Sequence, residues 1–240
     1  MRGFTYLDDE SWLKRTMRGL KRGLSGGRAI AELPISDSQA VKVTEFMCSN
    51  FGPKITAVVA GTPFPAALLA AIACQETAYF WLSFTQTLTP AQALARCVLD
   101  ASGDANSDRS VFPRNTGAFR AKYGDDFANL LILEANETRR LRGYGPKQWV
   151  YKGYGIFQYD LQDVTTDETF FREKKWYDID ECLTRVMKEL QGKFAATHDL
   201  WQAVRAYNGS GPHAEQYKMN VRHYFGVCEP VWNASQRPAV

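Results

Sequence analysis

The run from Ala66 to Gln75 is built of small and aliphatic residues up to its closing glutamine. It is bounded by Pro63-Phe64-Pro65 before it and Glu76-Thr77 after it. A segment apolar on every face predicts a helix buried on all sides rather than one lying on a surface. Proline is tolerated in a helix's first turn, and Thr62 or nearby backbone offers a cap. Upstream, Val41, Val43, Phe46 and Met47 recur at roughly helical spacing and predict a helix over 37–51, capped by Ser36 or Asp37. The same reasoning predicts helices over 89–99, 127–141, 179–191, 199–207 and 213–224. Asn208-Gly209-Ser210-Gly211-Pro212 stops the penultimate one. Residues 149–160 are aromatic-rich and Gly-bounded and predict a strand or small β-hairpin. Residues 101–117 crowd Asp, Asn, Ser and Gly into a turn-rich stretch.

Trp12, Leu13, Met17, Leu20 and Leu24 are spaced as on one helix face with basic residues between them, which predicts a short amphipathic surface helix or an anchor for an anionic surface. Ser25-Gly26-Gly27 breaks that pattern. The chain therefore divides into a basic N-terminal appendage, 1–30, and one domain, 31–240, of the mainly α (α+β) class.

Composition narrows the function classes. Of 240 residues, 45% are hydrophobic and 13% aromatic, enough for a large core; the net charge of +3 suits an anionic surface and falls far short of a nucleic-acid binder. Five widely spaced cysteines without a CxxC pair predict free thiols, and three histidines leave little for a metal site. Asp104, Asn106 and Asp108 alternate as in a calcium loop, but the sixth-position Gly and twelfth-position Glu are missing, so no metal and no cofactor is expected. No stretch is long and apolar enough for a membrane span, and the N-terminal segment lacks a signal-peptide core. The expectation is a soluble chain made in the cytoplasm, reaching a bacterial wall by non-classical export or phage-type release.

The chemistry concentrates at Glu76, a carboxyl at the end of the buried helix. Burial disfavours its charged form, and the partial negative charge of a helix C-terminus acts in the same direction. A carboxyl kept protonated near neutral pH is what glycosidic cleavage requires, because the leaving oxygen must receive a proton as the bond breaks.

Two further segments join it: Gly153-Tyr154-Gly155-Ile156-Phe157-Gln158-Tyr159-Asp160, and Ala206-Tyr207-Asn208-Gly209-Ser210-Gly211-Pro212 followed by Tyr217. With Ile72-Ala73-Cys74-Gln75-Glu76-Thr77 they resemble, in order, three motifs of the lysozyme-like superfamily that contains lytic transglycosylases and goose-type lysozymes. The resemblance implies a lysozyme-like helical domain with Glu76 as catalytic acid. It places Gln158 in a segment lining the sugar groove, brings Tyr207 toward the acid, and sets Asn208 in the cleft wall. The alternatives are a core aromatic at Tyr207 and a backbone-bonding strand residue at Gln158. Asp160 falls where goose-type enzymes carry an aspartate that assists a water molecule; its alternative is a turn or helix cap. Phe157 replaces the family's more usual Met. Glu76 and Gln158 are 82 positions apart, against a few tens in the family, which implies a long insertion after the catalytic helix.

Aromatic faces stack on pyranose rings, and Tyr154 and Tyr159 are the named cleft candidates. The function expected is cleavage of a β-1,4-linked aminosugar polysaccharide such as peptidoglycan. A lytic transglycosylase needs one carboxyl and leaves an anhydro ring. An inverting hydrolase needs a second carboxylate, with Asp160 the first candidate and Asp100, Asp104 and Asp108 behind it. The lytic route is the expected one. The same fold acting on chitin, chitosan or another glucan, and a non-catalytic glycan-binding relative, are the alternatives.

Overall fold

A computed structural model describes residues 33–100 and 110–236. The amphipathic segment 12–24, the appendage 1–30 and the Asp104/Asn106/Asp108 stretch lie outside the described residues. The described chain is mainly helical, with one small sheet.

The first helix, α1 (Asp37–Val59), starts at a capping box in which Ser36 and Gln39 exchange side-chain and backbone hydrogen bonds. It runs past Pro53, beyond the predicted end, because Phe51, Ile55 and Val59 continue its buried stripe. Thr62 donates to the Val59 carbonyl at 2.7 Å and so closes α1; the next helix has no side-chain cap. That helix, α2 (Ala66–Glu76), is the all-apolar run, and every residue from Ala67 to Cys74 is buried. Next come α3 (Ala78–Trp81), α4 (Pro90–Ala95), α5 (Thr116–Tyr123), α6 (Asp125–Leu141), α7 (Glu168–Arg172), α8 (Ile179–Thr197), α9 (Leu200–Asn208) and α10 (Gly211–Ser235). α10 and α1 flank α2, α1 and α10 also meet each other, and α8 and α9 pack as an antiparallel-type pair joined at His198-Asp199. α10, like α1, outruns its prediction and passes Pro230, since Tyr224, Cys228 and Trp232 extend its buried face.

The sheet corrects one expectation. Residues 89–99 do not form one helix: it stops at Ala95, and Val98–Leu99 is a strand, β1. β1 pairs antiparallel with β2 (Gly153–Tyr154), which pairs antiparallel with β3 (Tyr159–Asp160). Periodicity over eleven residues cannot separate a helix end from a short buried strand such as Cys97-Val98-Leu99. Here Val98 and Leu99 find open ladder positions beside the hairpin, and the strand results. α5 was not expected either. Asn115, read as a turn residue, accepts a hydrogen bond from the Ala118 N–H at 2.8 Å and is the helix cap.

One polar cluster is interior. Glu134, on α6, is 6% exposed. Its carboxylate accepts from Lys174 Nζ at 2.7 Å, from the Tyr177 hydroxyl at 2.5 Å and from the Arg96 guanidinium at 2.7 Å. Burial pushes its pKa up, but these donors and the two cations prevail and hold it below the usual range. The cluster ties α6 to the end of α4 and to the segment before α8.

Candidate active site

α2 ends on Glu76, and the chain turns at once into α3; the two helical segments meet at 71°. The turn is made at Thr77, which is fully buried. Its hydroxyl donates to the Ile156 carbonyl at 2.8 Å and accepts from the Trp81 indole N–H at 3.0 Å. A single side chain thus joins the end of the buried helix, the following turn and the tip of the β2–β3 hairpin. Glu76 is fixed at a corner, half-buried. A Thr placed directly after a helix-ending acid was legible in the sequence as a break in the apolar run, but its partner 79 positions away was not.

The hairpin accounts for the Gly-x-Gly-x-x-Gln pattern. Gln158 has φ +55°, and its side chain folds back under the loop, donating to the Gly155 carbonyl at 2.9 Å and the Cys97 carbonyl at 3.3 Å. A Cβ at position 153 would lie 2.1 Å from Gln158 Oε1. Gly155 has φ +78°, and a Cβ there would lie 2.8 Å from Cys182 Sγ. Both glycines are therefore required by packing, and the amide nitrogen of Gln158 is taken up by backbone carbonyls.

Tyr207, near the end of α9, donates to the Phe157 carbonyl at 2.6 Å. Its ring lies 6.2 Å from that of Tyr217 on α10. The Tyr217 hydroxyl is buried, has no hydrogen bond of ordinary geometry among the described residues, and faces Glu76. Burial raises the Glu76 pKa, the Tyr217 phenol pulls it down, and the charges of Glu189 and Asp100 raise it again; the result is about 7. Below that pH the group is mostly a neutral acid, able to donate a proton.

Glu189, on α8, was not singled out from the sequence. It is half-buried, and burial pushes its pKa up to about 7, with Lys193 opposing and Asp163 and Asp160 reinforcing. With Cys182, Arg185 and Val186 it lies along one face of α8, lining a narrow cavity of about 10 Å³ closed by Phe157, Tyr159 and Tyr207. The signal was present: Cys182, Val186 and Glu189 fall at i, i+4 and i+7, so an acid interrupts an otherwise apolar stripe.

The remaining candidates are placed as follows. Tyr154 is 1% exposed and packed edge-on against Trp176 and Phe171, with ring centroids 4.8 and 5.2 Å away. Tyr159 is half-buried, stacked on Phe171 at 5.7 Å, and lines the narrow cavity. Asp160 caps the turn that follows β3, accepting from the Gln162 N–H at 2.7 Å. Asn208 is exposed at the last residue of α9. The structure therefore gathers Glu76, Tyr207, Tyr217 and Glu189 around the hairpin tip, with Gln158 folded under it and Asn208 exposed next to Tyr207 in the chain. No group of three or more metal-ligating side chains occurs among the described residues, and no described helix alone is long and apolar enough to cross a membrane.

Compared with known proteins, the chain matches no family model, no curated protein and no solved structure.

Proposed function

We propose that this chain is a lysozyme-like glycosidase that cleaves a β-1,4-linked aminosugar polysaccharide, peptidoglycan first, by general acid catalysis at Glu76. The observation carrying this reading is the environment of that carboxyl. It closes a buried apolar helix, its pKa lies near 7, and it sits at the corner where the hairpin and the Tyr207 and Tyr217 helices converge. A general acid is most effective when its pKa lies close to the working pH, and groups so placed contribute roughly 10²–10⁴-fold. The narrow cavity is too small for a sugar ring, so the glycan lies across the partly exposed edges of Glu76, Tyr207 and Asn208. The glycosidic oxygen meets the carboxyl there. The tyrosines and Gln158 hold the corner in shape.

The order of the three motifs supports the lysozyme-like assignment, and so does the mutual packing of those motifs in space. The test is a turbidity assay on purified bacterial walls with mass spectrometry of the released fragments. The parent protein is expected to clear the suspension. Glu76→Gln, nearly isosteric, is expected to stay folded and to lose activity by at least about 100-fold. A Glu76→Gln protein as active as the parent would end the reading. Walls left intact while chitin or chitosan is cut would change the substrate and keep the site.

A further inference from the structure

We propose that Glu189 is the second carboxyl of the reaction, the base that takes a proton from the attacking water while Glu76 gives its own to the leaving oxygen. This rests on the glycosidase reading of Glu76 and adds to it the fate of the intermediate charge, inversion by water in place of ring closure.

Four observations carry it. First, Glu189 has no hydrogen bond and no ion pair among the described residues. Its acidic neighbours on α8 are otherwise placed: Asp180 is paired with Lys54 at 2.6 Å, and Glu181 with Arg185 at 2.6 Å. Half-buried carboxyls without partners are costly, and they are characteristic of sites rather than of scaffolds. Second, its side chain faces the site. It borders the cavity closed by Phe157 and Tyr207, the residues joined by the 2.6 Å hydrogen bond that forms the site's floor. Its charge is felt at Glu76, at Tyr207 and at Tyr217, on three different helices. Third, Glu76 and Glu189 stand on different helices, α2 and α8, and do not hydrogen-bond to each other. Inverting glycosidases likewise mount their two carboxyls apart, roughly 6.5–9.5 Å, to admit the water. Fourth, Glu189 stands in the middle of a 19-residue helix, a rigid mount, whereas Asp160 is taken up in capping the turn after β3.

The step balances without a further reactant. Water oxygen forms a bond to the anomeric carbon from the face opposite the leaving group, and its proton passes to Glu189. The bond from the anomeric carbon to the glycosidic oxygen breaks, and that oxygen takes the Glu76 proton. The two carboxyls then exchange protons with solvent. The groups facing Glu189 are Lys193 and Arg185 on its own helix, Tyr159, Asp160 and Asp163 from the hairpin side, Tyr207 from α9, Tyr217 from α10 and Glu76 from α2. Ionised Glu189 raises the Glu76 pKa and so favours its protonated form.

The experiment uses the full chain and purified peptidoglycan. The parent, in ¹⁸O-water, is expected to release reducing ends carrying one ¹⁸O each; anhydro-ended fragments would overturn the proposal without any variant being made. Glu189→Gln is expected to lose at least about 100-fold in kcat/KM, together with the acid limb of its pH profile. Added azide is expected to restore turnover, giving a glycosyl azide of inverted configuration, since azide needs no base but still needs Glu76. A merely structural role gives no azide rescue, and that result overturns the proposal, as does a Glu189→Gln protein with parental rate and pH profile. Should Glu189→Gln fail to fold, Glu189→Ser is measured in its place, with azide rescue expected and a parental rate and pH profile overturning the proposal. Failure here with Glu76→Gln inactive leaves the glycosidase reading standing. A parent inert on every wall and aminosugar polymer removes both.

Discussion

Glu134 and Glu76 are both glutamates carried by helices packed into the core, and their surroundings move them in opposite directions. Glu134 is met by an arginine, a lysine and a tyrosine hydroxyl, all within hydrogen-bonding distance, and is held ionised below the usual carboxylate range. Glu76 is met by one phenol and by the fields of two other acids, and is held near 7. Burial is the largest influence on both. What separates the two carboxyls is therefore not depth but the donors supplied around them. One is held ionised because both of its oxygens accept hydrogen bonds. The other is held near 7 because a single phenol faces it.

The sharpest way to break this contrast is to remove each carboxyl in turn. Glu134→Ala leaves Arg96, largely buried, without its counter-charge; removing one member of a buried ion pair costs about 3–5 kcal/mol. For a chain of this size that corresponds to a fall in Tm of roughly 6–20 °C, read by calorimetry. Glu76→Gln is expected to leave Tm unchanged or raised at neutral pH while activity vanishes. Equal losses of stability in both variants would erase the distinction.

The pH dependence follows from the same two groups with opposite signs. Glu76 has a folded pKa near 7, above its unfolded value of about 4.5. The folded state therefore binds the proton more tightly, and stability falls as pH rises from about 4.5 to 7, with the full cost present above 7. Glu134 has a lowered folded pKa, so its contribution is complete above the unfolded value and is lost as pH falls through the folded one. Urea titrations of the parent and of Glu76→Gln, compared from pH 4 to 8, are expected to diverge by about 1–3 kcal/mol at the upper end. Parallel curves would mean that Glu76 is ordinarily solvated.

The sequence carried one side of the comparison far better than the other. The all-apolar run before Glu76, and the spacing of Gly153, Gly155 and Gln158, are local patterns, and each reflects a packing demand that its own residues state. The Glu134 cluster draws on positions 96, 134, 174 and 177, each an unremarkable charged or aromatic residue whose meaning arises only when three segments meet. Glu189 lies between these cases: its helical stripe is local, but the cavity that gives the interruption meaning is made by α9 and the hairpin. β1 was misread because Val98 and Leu99 fit either period, and the choice was made by a partner strand more than fifty positions away.

The corner itself offers a smaller test. Thr77→Val keeps shape but removes the hydroxyl shared by Ile156 and Trp81, leaving two buried groups unanswered at about 1–3 kcal/mol. Because it loosens the attachment of Glu76 to the hairpin, activity is expected to fall further than stability alone requires, by about tenfold at temperatures where the protein remains folded. Gly153→Ala forces Gln158 out from under the loop and is expected to act on the same corner from the other side. Since both act through one contact region, the double variant should lose less activity than the product of the two single losses. Full additivity would mean that the hairpin and the helix end are positioned independently.

The smallest expected effect concerns Asp160. Its carboxylate accepts the Gln162 N–H at the start of a short helical turn, and replacing such a cap with alanine costs about 0.5–2 kcal/mol. If capping is its whole contribution, Asp160→Ala shifts Tm by a few degrees and changes wall cleavage by less than about threefold, while Asp160→Asn, which can still cap, leaves both near parental values. Asp160 also raises the pKa of Glu189, so its removal lowers that pKa and moves the acid limb of the activity profile toward lower pH. A variant that lost activity as completely as Glu76→Gln, and recovered it in the asparagine form, would show that a carbonyl oxygen at position 160 contacts the glycan, and the partition of labour between hairpin and α8 would have to be redrawn.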